Sequence, residues 1–202
     1  MTVGSVSEAS TIVVTSGTAN VAQLTALDAL TETKMPLVAV VDSADALDAL
    51  AQDPEMEALL ATRVSSVTVQ GAAQVAQIEA LVGANVELGD ITFSLSDVAN
   101  NLIADLGSTD ESVVTAKKAL LAKADAILIT DPAATVGQIV ELVEAGVDIA
   151  DITFSLSDSV LNLTVNSTEG AKRALLSAAD SVIVTGPAAT VEQIEALVDA
   201  GV

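Results

Sequence analysis

The sequence contains no cysteine, histidine, tryptophan or tyrosine, and two phenylalanines, Phe93 and Phe154. Without cysteine there is no disulfide framework and no thiol chemistry. Without cysteine or histidine the usual nucleophilic triads are excluded, and only serine–lysine arrangements remain formally open. Lys117 and Lys172 fall in helical patterns, and Lys172 reads as a solvated or snorkelling side chain. Basic residues are scarce: seven lysines and arginines stand against 28 acidic residues, for a net charge of −21. A surface of that sign repels nucleic-acid phosphates and anionic lipid, and attracts divalent cations. No apolar run approaches the ~18 residues of a membrane helix. The opening Met-Thr-Val-Gly-Ser is not a basic segment followed by an apolar one, the pattern of a signal peptide. No Gly-x-Gly-x-x-Gly or Walker sequence supports nucleotide binding.

What is present is aliphatic and repetitive. Hydrophobic residues make up 51% of the chain, nearly all of them Ala, Val, Leu and Ile. So uniform a core suits repeating layers. The octapeptide Asp-Ile-Thr-Phe-Ser-Leu-Ser-Asp occurs at 90–97 and again at 151–158. Its apolar residues alternate with Thr and Ser, which is the period of a strand with one apolar and one polar face. Strand-like runs are expected at 11–15, 37–41, 66–70, 91–96, 126–130, 152–157 and 181–185. Between them apolar residues fall at helical spacing, as in Val21, Leu24, Leu27 and Leu30, or Val75, Ile78 and Leu81. Phe93 and Phe154 hold the same place in successive units and are expected in the core.

Direct self-comparison shows a unit of two strands. Lys117-Lys-Ala-Leu-Leu-Ala-Lys-Ala-Asp125 returns about 55 residues later as Lys172-Arg-Ala-Leu-Leu-Ser-Ala-Ala-Asp180. Pro132-Ala-Ala-Thr-Val136 returns as Pro187-Ala-Ala-Thr-Val191. Val75-Ala-Gln-Ile, Val136-Gly-Gln-Ile and Val191-Glu-Gln-Ile open equivalent helices, and Val21-Ala-Gln-Leu is a diverged fourth copy. One half of the unit is therefore present four times and the other three times. Thr135 with Gln138, Thr190 with Gln193, and Asn20 with Gln23 have the spacing of capping boxes. Ser108 with Glu111, and Asn166 with Glu169, mark further helix starts. Gly107, Gly170 and Asp53-Pro54 break the longer connections into two helices. Gly83, Gly146 and Gly201 are placed to end helices in a left-handed conformation.

Strands alternating with helices imply parallel strands joined by crossovers. The polar alternate positions at 66–70 and 90–97 leave one sheet face uncovered. That favours an α/β repeat solenoid with one parallel sheet of about seven strands and all helices on one side. The alternative is an open doubly wound parallel sheet, which would bury both faces. The apolar outward positions in 12–14 and 127–129 speak for it. The chain is expected to form a single repeat-array domain over 1–202. Gly201-Val202 matches Gly146-Val147, which runs on into another strand, so a fragment of a longer array is the expectation.

The half-unit Ala-Leu-Leu-Ala-Lys-Ala-Asp, with its following strand, Thr-Val-x-Gln-Ile and the Ser-Asp strand, resembles a known style of repeat. It is similar to the Ala/Ser/Asp-rich tandem repeats of large bacterial surface and secreted proteins, adhesin-like and RTX-type exported proteins among them. The resemblance covers nearly the whole chain. It implies a non-catalytic structural or adhesive module, extracellular or on the cell surface, whose partners are neighbouring repeats, with surface glycan or protein as the further candidates. No nucleic-acid partner and no membrane insertion are expected. The Gly-Gly-x-Gly-x-Asp nonapeptide of calcium-binding rolls is absent, so calcium binding does not carry over. No cofactor is expected.

Carboxylates are the remaining candidates for chemistry. Asp97 and Asp158 close equivalent strands, and Asp42 and Asp131 hold similar places. Stacked in parallel they form a row that could offer oxygens to calcium, which needs about six to eight of them. Capping of helices and turns is the simpler role for such residues. Asp90, Asp125, Asp151 and Asp180 at strand entries form a second row. The hydroxyl rows Thr92, Ser94, Ser96 and Thr153, Ser155, Ser157 on the open face could meet glycan, ice or a partner strand, or simply be hydrated. A binding module using these surfaces is the alternative function.

Overall fold

The computed structural model describes residues 18–28, 37–165 and 170–202. The expected strand at 11–15 and the helix start at Asn166 lie outside these. The strands are β1 (Thr18–Ala19), β2 (Val38–Ser43), β3 (Val64–Ala73), β4 (Ile91–Val98), β5 (Ile127–Thr130), β6 (Ile152–Thr153), β7 (Ser155–Ser159) and β8 (Ser181–Thr185). The helices are α1 (Val21–Asp28), α2 (Ala44–Ala51), α3 (Pro54–Arg63), α4 (Val75–Gly83), α5 (Ala99–Ile103), α6 (Glu111–Lys123), α7 (Val136–Glu144), α8 (Val160–Thr164), α9 (Gly170–Ala178) and α10 (Val191–Asp199). Short 3-10 turns at Leu88–Asp90 and Ile149–Asp151 lead into β4 and β6.

The protein is α/β, with helices interspersed along an open six-stranded sheet in which all pairs are parallel. An open parallel sheet is a feature of the alternative architecture read from the sequence. The strand order is β1-β2-β3-β4-β5-β6, so neighbours in the chain are neighbours in space. Instead of one sheet of about seven strands, the described residues form a sheet of six strands and a separate parallel pair, β7-β8. The cause is local. The strand expected over 152–157 is interrupted at Phe154, whose carbonyl accepts the N–H of Asp180 (2.9 Å). Ile152 and Thr153 pair with β5, and the residues beyond Phe154 pair with β8.

Alternation along the strands places the core. Ile91, Phe93 and Leu95 are buried, while Thr92 is exposed and Ser94 and Ser96 are half-buried. Ile152, Phe154 and Leu156 repeat the pattern. These side chains join Ile78, Leu81, Leu102, Leu121, Ile139 and Leu142 from the helices in one continuous core. Both phenylalanines are at most 2% exposed, as their shared place in the unit implies. The opposite face carries Thr68, Thr92, Leu128 and Thr153, all exposed.

Each long connection holds two helices, as its breakers indicate: α2 then α3, α5 then α6, α8 then α9. The caps explain the boundaries. Asp53 accepts from the Glu55 N–H with Pro54 in the first turn, where a missing N–H loses nothing. Thr135 and Thr190 accept from the N–H groups of Gln138 and Gln193, whose side chains return the bond. Asn20 and Gln23 do the same.

Two assignments change. Helix α6 is capped by Asp110 and not by Ser108, which instead accepts the Asp110 N–H. Gly83 lies inside α4, and the left-handed residue after that helix is Asn85 (φ 64°). Asn85 is the counterpart of Gly146 (φ 102°) and Gly201 (φ 97°), and asparagine tolerates that region better than most residues.

Candidate functional site

The candidate aspartates fall at the junctions between successive strand–helix layers. Asp97 closes β4, and its Oδ2 accepts the N–H of Val75 (3.1 Å), the first residue of α4. Its Oδ1 accepts the N–H of Val98 and the side-chain amide of Asn101, both at 2.8 Å. Asp158 repeats this bond for bond. Its Oδ2 takes the Val136 N–H at the start of α7 (3.0 Å). Its Oδ1 takes Ser159 N–H (2.7 Å) and the Asn162 amide (2.8 Å). Asp42 makes the same link to Val21 at the start of α1 (3.0 Å) and accepts the Ser43 N–H. It lacks the amide partner because Ala46 stands where Asn101 and Asn162 stand.

Asp97 and Asp158 each tie three backbone or side-chain donors from two layers to one strand end, and Asp42 ties two. The first N–H groups of a helix have no partner within it, and the helix dipole favours negative charge there. A carboxylate from the adjacent strand meets both needs. Asp97 and Asp158 are 4% and 8% exposed, so the charge is held away from water and must be satisfied by these donors. Burial pushes the Asp158 carboxyl up. The bonds from Asn162, Ser159 and Val136, helped by the Lys172 charge, outweigh that and hold it below the ordinary aspartate value.

Glutamine links the layers in the other direction. Gln77 accepts the Gln74 N–H with Oε1 and donates through Nε2 to Asp45 of α2 (2.8 Å). Gln138 accepts the Thr135 N–H and donates to Asn100 of α5 (2.6 Å). One side chain thus caps its own helix and grips its neighbour.

Asp131, the fourth candidate, is exposed in the turn after β5, at a cis peptide bond to Pro132. The second row, Asp90, Asp125, Asp151 and Asp180, is exposed at strand entries. Of the first row, Asp42, Asp97 and Asp158 hold equivalent places on strands that do not pair with one another, in separate layers, and Asp131 stands apart from them. Among the described residues no three acidic side chains gather at one point.

The two repeat-related lysines have different partners. Lys117 is buried, and its Nζ donates to Glu79 of α4 at 2.9 Å. The pair borders a cleft of about 590 Å³ between α4 and α6, lined also by Val82, Asn85, Val113 and Leu120. For its repeat counterpart, Lys172, the position matching Glu79 is Val140, which offers no acceptor, and Lys172 donates instead to the carbonyls of Asn162 and Val165 at the end of α8. Burial pushes the Lys172 ammonium down, by more than the nearby Asp158 raises it.

The sequence pointed to Asp42, Asp97 and Asp158 but not to their partners. Asn101 and Asn162 follow their aspartates by one helical turn, and that spacing was available to find them. Glu79 carries no such signal, since it lies 38 residues from Lys117. On the open face the hydroxyls line up across strands: Thr68 opposite Thr92, and Ser155 opposite Ser181 with their hydroxyls 2.9 Å apart. Leu128 interrupts the row between Ser96 and Thr153. Comparison with protein-family models, with curated proteins and with solved structures returns no match.

Proposed function

We propose that the chain is a non-catalytic structural module of a repeat array, a solenoid-like stack whose work is to hold length and shape. The observation that carries this is the aspartate link made three times, Asp42 to Val21, Asp97 to Val75 and Asp158 to Val136. Each repeats the same contact between one layer and the next. The most buried charged groups, Asp97, Asp158 and Lys117, are all engaged in joining elements. Strand order that follows chain order, with one sheet face open, also supports the stack. The resemblance to bacterial surface repeats sets this module outside the cell or on its surface.

Native-state hydrogen exchange tests the reading. A stack in which each layer touches only its neighbours opens from its ends. Protection is then expected to peak in α4, β4 and α7 and to fall through β8 and α10. Equal opening free energies throughout would remove the array reading.

A second reading, a binding module, is favoured by one observation. The rows of the open face contain Thr, Ser, Ala, Val, Leu and Gln and no charged residue, in a chain of net charge −21. Binding to a glycan array that is lost on Thr92→Glu would establish it.

A further inference from the structure

The last unit repeats the sequence of its predecessors but not their burial. Val191 and Ile194 of α10 are 70% and 52% exposed. Their counterparts Val136 and Ile139 are 8% and 0% exposed, and Val75 and Ile78 are 3% and 0%. In β8, Val184 is 41% exposed where Ile129 is 7%. The residues are of the same kind, so the difference lies in what covers them. In each earlier unit an Asp-bearing strand follows and closes this face. After α4 it is β4, with Asp97 on the Val75 N–H. After α7 it is β7, with Asp158 on the Val136 N–H. There Ala134 also donates to the Ser155 carbonyl and accepts from the Ser157 N–H. Ala189 and Val191 are the matching positions in the last unit, and among the described residues β8 pairs with β7 alone.

We infer that the face formed by β8 and the start of α10 is a docking surface for one kind of partner. That partner is a strand–helix segment of the class Ile-x-Phe-x-Leu-x-Asp, with the Asp closing the strand and a short helix after it. The two interfaces inside the molecule define its chemistry. Alternate apolar residues cover Val184, Val191 and Ile194. The backbone pairs with the free edge at Ala189. The Asp carboxylate accepts the Val191 N–H. Strand addition to a sheet edge takes affinity from main-chain bonds and specificity from alternate side chains. The described ends of the chain do not supply this partner to each other. Among the described residues the first strand, β1 (Thr18–Ala19), matches Ala188–Ala189 of the last unit and carries no Asp.

This inference rests on the array reading, and its test is separable from that one. The probe is a synthetic peptide with the sequence of residues 151–165, titrated into the full chain, alongside a scrambled peptide. Saturable one-to-one binding is expected, weakened about tenfold when the peptide aspartate matching Asp158 is changed to Asn, since a bond to a charged group is lost. Ile194→Asp in the full chain should abolish binding while leaving the circular dichroism spectrum unchanged, because Ile194 is already exposed. Binding that survives Ile194→Asp, or that the scrambled peptide matches, would overturn the inference. So would self-association that Ile194→Asp abolishes and the peptide does not compete for, because the occupant would then be a second copy. Failure of the peptide to bind alongside graded hydrogen exchange removes the docking surface and leaves the array. Binding alongside uniform exchange does the reverse.

Discussion

At the scale of the residue, buried charge is the governing problem. Asp158 is held by donors from α7 and α8, and its carboxyl is kept below the ordinary value against the opposing effect of burial. Asp158→Asn keeps the size but replaces one acceptor oxygen with a donor that faces donors. A loss of about 1–3 kcal/mol follows, measured by urea denaturation at pH 7. The sign of the pH dependence is determined. A carboxyl depressed by folding adds stability above its unfolded value of about 4, and that stability drains as the pH falls through the folded value. The gap in urea midpoint between the native chain and Asp158→Asn should therefore narrow below about pH 4. A gap that stays constant down to pH 2 would refute this account. Lys117 poses the opposite case, since its ammonium is buried and Glu79 is half in water. Glu79→Gln strands a buried cation, whereas Lys117→Met removes it and keeps the packing. The first should destabilise more than the second, and thermal melts of the two variants decide the order.

At the scale of the element, helix ends set where the chain turns. Gly146 follows α7 at φ 102°, with nothing within 4 Å of an added Cβ. Gly146→Ala therefore meets only the backbone penalty of that region, about 1–2 kcal/mol. Asn85, its counterpart at φ 64°, should accept glycine with little change apart from its bond to Glu57. Unequal urea midpoints for the two variants check the pairing. The same comparison shows what the sequence could and could not disclose. The period of two in Ile91-Thr-Phe-Ser-Leu, the Thr135–Gln138 box and the split connections were legible because each is a local pattern. The left-handed position after α4 was misplaced onto Gly83 because glycine is the stronger signal, although alignment of Ala84-Asn85-Val86 with Ala145-Gly146-Val147 points to Asn85. The Asp97–Val75 bond spans 22 residues, and no periodicity within a strand or a helix announces it. The interruption at Phe154 was illegible for another reason. The octapeptide at 90–97 is identical to that at 151–158, yet β4 runs unbroken from Ile91 to Val98. The difference arises from the neighbouring strands.

At the scale of the whole molecule, like charge is the dominant long-range force. Acidic residues outnumber basic ones by 28 to 7, and the rows of the open sheet face carry none of them. The acids are therefore crowded onto the helices, the turns and the strand ends. Repulsion among exposed charges is screened beyond about 10 Å at 0.1 M salt, a distance comparable with the spacing of packed layers. Raising sodium chloride from about 10 mM to 0.5 M should lift the melting temperature, with most of the gain at the low end. Divalent cations should act in the same way, through the field and not through a particular site. The carboxylates nearest to forming a row, Asp42, Asp97 and Asp158, direct their oxygens at N–H donors and lie in separate layers. A cation entering there would have to displace those donors and leave helix N–H groups unpaired. At matched ionic strength calcium and magnesium should therefore shift the melting temperature equally. The opposing result is distinct, because a ligand that binds only the folded state stabilises it in a saturable way. A saturable shift with calcium alone, lost on Asp97→Asn or Asp158→Asn, would mean that these aspartates hold metal and that the layer links are secondary to it.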